Sequence, residues 1–176
     1  MAAQGLRVLV TAASRHGATA EIATAIRDEL ERRGLTATVL PPVEVSTLDG
    51  YDAVVLGSAV YVGHWLQSAM DLVTRCRAEF AARPVWLFTS GPVGEPSGKL
   101  AQQMGTDPVE LSLLRDATGF REHKIFPGRL NPKSLPWTQR MSLALFRGLT
   151  GDFRDWEEIS RWADGIADQL AAIARA

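Results

Sequence analysis

The chain has 176 residues, 46% apolar and 22% charged, the balance of one ordinary globular domain, which excludes a disordered segment and a disulfide scaffold. Cys76 is the single cysteine, so an internal disulfide and a thiolate metal cluster are both ruled out and a reducing, cytoplasmic setting is predicted. The net charge of −1 conceals a stretch from His123 to Gly151 that holds five Lys or Arg residues (Lys124, Arg129, Lys133, Arg140, Arg147) and no Asp or Glu.

Met1 to Gly5 carries no basic region, signal-length apolar stretch or cleavage site, so no export is expected. No apolar run approaches the roughly 20 residues of a spanning helix, which leaves a peripheral membrane contact as the form any association would take. Leu6–Thr11 reads as a strand, and Thr19–Arg33 as a helix with Ile22, Ala23, Ile26 and Leu30 on one face and Gly34 at its end. Leu35–Leu40 and Ala53–Gly57 read as strands without polar alternation, which predicts a sheet covered on both faces. Leu66–Ala82 is helical in period, Pro84–Thr89 is a fourth strand, Gly98–Arg115 a helix interrupted by Asp107-Pro108, and Glu122–Phe126 a fifth strand. Asp155–Ala174 closes the chain as an amphipathic helix, with Ile159, Trp162, Ile166, Leu170 and Ile173 on its apolar face and Glu157, Arg161, Asp164 and Asp168 on its charged one. Strands alternating with helices require a parallel sheet with right-handed crossovers. The predicted fold class is therefore α/β, a three-layer sandwich around a five-stranded parallel sheet of order 2-1-3-4-5. Residues 1–176 form one domain with an insertion, 127–151, after strand five. A ligand is expected at the carboxyl ends of strands one and three.

Between the first strand and first helix, Ser14-Arg15-His16-Gly17-Ala18-Thr19 gathers hydroxyls and a glycine at a helix amino terminus. Unpaired backbone N–H groups and the positive end of the helix dipole suit a phosphate there. Read more plainly, Ser14 and Thr19 cap the helix and Gly17 turns the chain. The loop is neither the G-x-x-x-x-G-K-S/T of nucleotide hydrolases nor the G-x-G-x-x-G of dinucleotide folds. It resembles the flavodoxin phosphate loop, usually S/T-x-T-G-x-T, with His16 at the position of the third-place Thr. That resemblance implies a flavodoxin-like fold and FMN, its phosphate held by Ser14, Arg15, His16, Gly17, Ala18 and Thr19, with the His16 imidazole N–H in place of a hydroxyl.

Gly57-Ser58-Ala59-Val60-Tyr61-Val62-Gly63-His64-Trp65 follows strand three as a loop with two aromatics and a histidine, and Thr89-Ser90-Gly91-Pro92-Val93-Gly94 follows strand four. A flavin ring needs flat apolar contacts and backbone donors at its polar edge. By the resemblance to flavodoxins, Ala59, Val60, Tyr61, Val62 and Gly63 flank one side of the ring, and Thr89, Ser90, Gly91 and Gly94 the other. His64 is a candidate general acid or base. Taken singly, Tyr61 and Trp65 read equally well as packing residues, and His64 as a solvated neighbour.

Gly63-His64-Trp65, the insertion and Asp155-Trp156-Glu157 together resemble the menaquinone-dependent protoporphyrinogen IX dehydrogenase family, in which an arginine stands at the position of Tyr61. The resemblance implies an FMN-dependent oxidoreductase that passes electrons from an organic donor such as protoporphyrinogen IX to a quinone-like acceptor. A flavodoxin-like electron-transfer protein without its own substrate, or a relative that has lost flavin binding, are the alternatives. In the insertion, Pro136 starts a helix with Trp137, Met141, Ala144 and Leu145 on one face and Arg140 and Arg147 on another. Such a helix suits the inner, anionic membrane leaflet or a carboxylate-bearing quinone or porphyrin-like ligand, or else packs on the core with its arginine stems laid across it. No metal site and no nucleic-acid partner is expected.

Overall fold

A computed structural model describes residues 5–61, 63–91, 107–130 and 151–175. The elements in chain order are β1 (Arg7–Ala13), α1 (Ala18–Arg32), β2 (Thr36–Leu40), a 3-10 turn (Pro42–Glu44), β3 (Ala53–Tyr61) and β4 (His64–Trp65). They continue with α2 (Gln67–Arg75), α3 (Arg77–Ala81), β5 (Val85–Ser90), α4 (Leu111–Thr118), β6 (Glu122–Phe126), β7 (Arg129–Leu130), β8 (Gly151–Asp152) and α5 (Trp156–Ile173). The parallel strands lie in the order β2-β1-β3-β5-β6, with the short β4 paired antiparallel to β3 alone. These are the five expected strands in the expected order.

Both faces of the sheet are covered, which is why the strands read as continuous apolar runs. On one side Val8, Val10, Val55, Trp86 and Phe88 pack with Ile22, Ile26 and Leu30 of α1 and Ile159, Trp162 and Ile166 of α5. On the other, Leu9, Val54, Leu56 and Leu87 pack with Leu72 of α2, Phe80 of α3 and Leu114 of α4. Among the described residues no helix is long and apolar enough to cross a membrane.

Four local expectations change. β1 continues two residues past Thr11, and β3 runs through Gly57 to Tyr61, because Ala12 and Ala13 pair with Gly57 and Ser58 while Ser58 and Ala59 pair with Thr89 and Ser90. The residues read as a loop after strand three are thus strand, closed by a hairpin in which Val60 faces Trp65 and Tyr61 faces His64. The helix expected over Leu66–Ala82 is broken at Cys76, whose backbone leaves the helical region at φ −107°, ψ 25°. The thiol of Cys76 is buried, and burial pushes its pKa up, which agrees with a packing residue. The helix expected to end at Arg115 runs on to Thr118 and stops where Gly119 turns left-handed; its residues 98–106, like residues 131–150 of the insertion, lie outside the described residues.

α1 and α5 are joined by charge as well as by apolar packing. Arg33 reaches Asp164 at 2.8 Å and also Asp168. The buried Glu29 pairs with Arg32 and accepts a hydrogen bond from the Ser160 hydroxyl at 2.7 Å. The Arg32 guanidinium, helped by Ser160, lowers the Glu29 carboxyl from 4.5 to about 2. A folded-state value below the unfolded one stabilises above pH 4.5, and the gain is lost as the pH falls through about 2. Glu29→Gln is therefore expected to lower stability at neutral pH by about 1 kcal/mol, discounted because Arg32 is solvent-exposed. Denaturant titrations from neutral to acid pH should show the two proteins converging towards the acid end; a gap independent of pH would mean that the ion pair contributes nothing.

Candidate functional site

At the carboxyl edge of the sheet β1 gives way to a four-residue loop, Ser14–Gly17, and α1 begins. Gly17 is the residue before the helix, at φ 88°, ψ −22°, with no side chain capping the first turn. A Cβ there would have open space, its nearest neighbour being Glu21 Oε1 at 4.0 Å, so the left-handed backbone rather than crowding demands glycine. Ser14 Oγ accepts the Gly17 N–H at 3.0 Å and curls the loop. The first N–H groups of α1 have no intrahelical acceptor. By contrast, α5 is capped by its own Asp155, which accepts the Glu158 N–H at 2.9 Å. Ala18 and Thr19 are buried in the first turn, whereas Arg15 and His16 are exposed.

The β3–β4 hairpin stands beside this loop. Its turn uses Gly63 at φ 80°. Its base is tied by Ser58, whose hydroxyl donates to the Ala59 carbonyl at 2.8 Å and accepts the Leu66 N–H at 2.9 Å. Ala59 and Val60 are half-buried and Tyr61 is at the exposed tip. The Tyr61 ring takes the Arg15 guanidinium at 5.4 Å from its centre and the His16 ring edge-on at 6.4 Å. Burial pushes the Tyr61 phenol up, against the pull of Arg15. The two segments singled out in the sequence therefore meet through side chains, Arg15 and His16 from one and Tyr61 from the other.

His64 Nδ1 lies 2.6 Å from Glu110 Oε1, and Glu110 Oε2 accepts the Trp65 N–H at 3.2 Å. The Val109 N–H donates to the Gly63 carbonyl at 2.9 Å, so the hairpin is fastened to the residues that open α4. Burial pushes the Glu110 carboxyl up, but the hydrogen bonds from His64 and the Trp65 amide outweigh it and hold the pKa below its usual value.

The segment after β5 behaves differently from its expected part. Thr89 is buried, and its hydroxyl accepts the Trp65 indole N–H at 2.9 Å and lies 2.8 Å from His123 Nε2. His123 in turn faces Asp107 at 3.3 Å, and burial lowers its pKa despite that carboxylate. The Gly91 N–H donates to the Phe126 carbonyl at 2.9 Å, and Ser90 is buried at the strand end. The sheet continues one residue further than Thr89, and the Thr89 hydroxyl and the Gly91 N–H, expected to face a ligand, are engaged within the sheet. Val62 and Gly94 lie outside the described residues.

A cluster that the sequence did not single out sits against the first turn of α1. The ends of the insertion are brought together by β7 and β8, in which Arg129 faces Asp152 and Leu130 faces Gly151. Arg154, 2% exposed, bonds Glu21 and Asp152 at 2.6 Å each, and Arg129 bonds Glu21 at 3.0 Å. Its guanidinium also lies 4.4 Å over the Trp156 ring. The Arg154 hydrogen bond, opposed by burial, lowers the Glu21 carboxyl. The sequence signals for this cluster are Arg129 in the basic stretch and the position of Arg154 immediately before Asp155-Trp156-Glu157; Glu110, the other missed residue, carries none.

A sequence profile of the flavodoxin domain matches residues 9–156, from within β1 to the start of α5. The chain belongs to the flavodoxin domain family. Among individual proteins, it is 22% identical over 174 residues to the protoporphyrinogen IX dehydrogenase (quinone) of Escherichia coli K12, a match that covers 92% of this chain and 95% of that one. In structure it resembles an archaeal flavodoxin, at 16% identity and a TM-score of 0.54 over 94% of this chain and 99% of that one. It also resembles the flavodoxin of Streptococcus pneumoniae, at 18% identity and a TM-score of 0.57 over 94% of this chain and 98% of that one. The rubredoxin:oxygen oxidoreductase of Desulfovibrio gigas gives a TM-score of 0.62 at 15% identity, covering 97% of this chain and 37% of the larger protein. The flavodoxin-like sandwich expected from the element order is thus shared with proteins of very different length.

Proposed function

We propose that this flavodoxin-domain protein is an FMN-dependent oxidoreductase that passes electrons from an organic donor, of which protoporphyrinogen IX is the leading candidate, to a quinone-like acceptor. The observation that carries the reading is the meeting of the curled Ser14–Gly17 loop with Tyr61 at the carboxyl ends of β1 and β3. The residues present fit a phosphomonoester. The α1 amino terminus is uncapped, and the one carboxylate of its first turn, Glu21, is neutralised by Arg129 and Arg154. Ser14 retains its hydroxyl hydrogen as a donor while accepting from Gly17, and Arg15, His16, Ala18 and Thr19 complete the phosphate set. Ala59, Val60, Tyr61, Val62 and Gly63 are assigned to one side of the ring, and Thr89, Ser90, Gly91 and Gly94 to the other. Thr89 is also the acceptor that fixes Trp65.

Bound FMN supplies two-electron chemistry; the chain supplies the phosphate cradle, an aromatic wall and an exposed histidine at the ring's edge. The likeness to the Escherichia coli dehydrogenase supports the choice of donor and acceptor. Residues 1–176 are read as one domain, in which the basic insertion 127–151 offers cations to substrate carboxylates or to the inner membrane leaflet.

Gly17→Val tests the cradle. A branched side chain at φ 88° is strained, and moving the residue out of that region breaks the Gly17 N–H bond to Ser14 Oγ that curls the loop. FMN affinity, read by quenching of flavin fluorescence, is expected to fall about 10- to 100-fold. A wild-type protein that leaves FMN fluorescence unchanged would remove the proposal. Loaded protein whose oxidised form protoporphyrinogen IX cannot reduce, and whose reduced form a soluble menaquinone analogue cannot reoxidise, would leave only an electron-transfer role.

A further inference from the structure

We infer that Glu110 is a positioning residue that sets the tautomer of His64, and that His64 Nε2 is thereby the proton acceptor for the oxidised substrate; the inference rests on the FMN-dependent reading above. Glu110 is partly buried, at 18% exposure, and both its oxygens are engaged, one by His64 Nδ1 and one by the neighbouring Trp65 amide. A carboxylate at 2.6 Å from Nδ1 draws the ring hydrogen to that nitrogen and leaves Nε2 with its lone pair. The ring itself is 58% exposed at the hairpin tip. The hairpin is held on three sides: through Glu110, through the Val109–Gly63 backbone bond and through Ser58. The result is an accessible base with a fixed orientation, the arrangement general-base chemistry requires.

The titratable and charged groups nearest the ring are Glu110 in contact, Tyr61 as its partner across the hairpin, and Arg15 and His16 against Tyr61. Among the described residues none of the others bonds Nδ1. The substrate class that fits is a donor whose N–H is conjugated with the C–H to be oxidised, such as a pyrrole carrying a methylene bridge. In the proton step that bond to hydrogen breaks, an N–H bond forms at Nε2, and the electron pair stays on the donor for the oxidation. Water takes the proton when the neutral ring is restored.

The first measurement needs neither flavin nor turnover. In protein labelled with 15N at histidine, long-range 1H–15N correlation reports the tautomer of each neutral ring, and His64→Asn assigns the signal among three histidines. The Nδ1–H form is expected to dominate in the wild type. In Glu110→Ala the ratio of Nδ1–H to Nε2–H is expected to fall at least about tenfold, since the lost bond is charge-assisted. Glu110→Gln, which keeps one carbonyl acceptor, is expected to fall between them. The far-UV circular dichroism of each variant checks the fold. With FMN loaded and protoporphyrinogen IX as the donor, His64→Asn is expected to lower kcat about 100-fold with little change in KM, and Glu110→Ala to lower it less.

An Nε2–H tautomer in the folded wild type, or a ratio unmoved by Glu110→Ala, would overturn the inference. Loaded enzyme whose kcat is unchanged in His64→Asn would overturn it while leaving the FMN reading intact. Failure of the wild type to bind FMN would overturn both.

Discussion

Gly57→Ala is expected to destabilise the fold by about 3 kcal/mol, the upper part of the range for overpacking a core. An added Cβ at Gly57 would lie 2.1, 2.3 and 2.5 Å from three atoms of the Phe88 ring, well inside any contact a real side chain makes. Gly57 and Phe88 are partners across β3 and β5, so the ring lies directly over the glycine. Phe88 cannot retreat, because it is fully buried and bounded by Phe126 at 6.1 Å and Trp162 at 6.2 Å between ring centres. In a domain of this size the expected loss corresponds to a fall of about 10 °C in the midpoint of thermal unfolding. Pairing the change with Phe88→Leu should recover part of it, and the coupling energy of the double-mutant cycle measures how much of the loss is this clash. An unchanged midpoint in Gly57→Ala would mean that the strands separate more easily than the packing implies.

Arg154→Met is the second large change, and it reaches the proposed phosphate cradle. Met preserves most of the stem but leaves Asp152 without its guanidinium and Glu21 with Arg129 alone. Breaking a fully buried ion pair costs about 3–5 kcal/mol, but here the two carboxylates are 46% and 42% exposed, so a loss of about 2 kcal/mol is expected. The sign of the pH dependence follows from the carboxylates. Hydrogen bonding to Arg154 lowers Glu21 and Asp152 from their usual 4.5 and 3.8, so the pairing stabilises above those values and is lost as the pH falls below them. The stability gap between the wild type and Arg154→Met should therefore close in acid, which denaturant titrations at neutral and acid pH will read directly. FMN affinity should fall as well, because Glu21, left with Arg129 alone, regains part of its charge in the turn proposed to hold the phosphate. A variant with full stability and full affinity would dissociate the cluster from the site.

The same residues show why some of this was legible in the sequence and some was not. The Ser14–Thr19 loop carries its own signal, because a helix amino terminus and a left-handed glycine are local properties of a few consecutive residues. Tyr61 and His64 were legible as candidates for the same reason, since both lie in one short segment after an apolar strand. Gly57 was misread as the end of β3, because a glycine that stops a strand and one that makes room for Phe88 look alike until the opposite strand is known. Thr89 and Gly91 were read as ring contacts by the resemblance to flavodoxins; that they also bond Trp65, His123 and Phe126, from β4 and β6, had no signal in the sequence.

The sequence by itself determined the five parallel strands, their order and the sheet covered on both faces, because hydrophobic period and turn chemistry act over a few residues. Only the tertiary structure decided that Glu110 holds His64 and that Arg154 holds Glu21, pairs separated by 46 and 133 positions. No local pattern encodes which carboxylate meets which donor. That choice is made when crossover connections bring separate strand ends to one edge of the sheet, and there burial and hydrogen bonding fix what each group does.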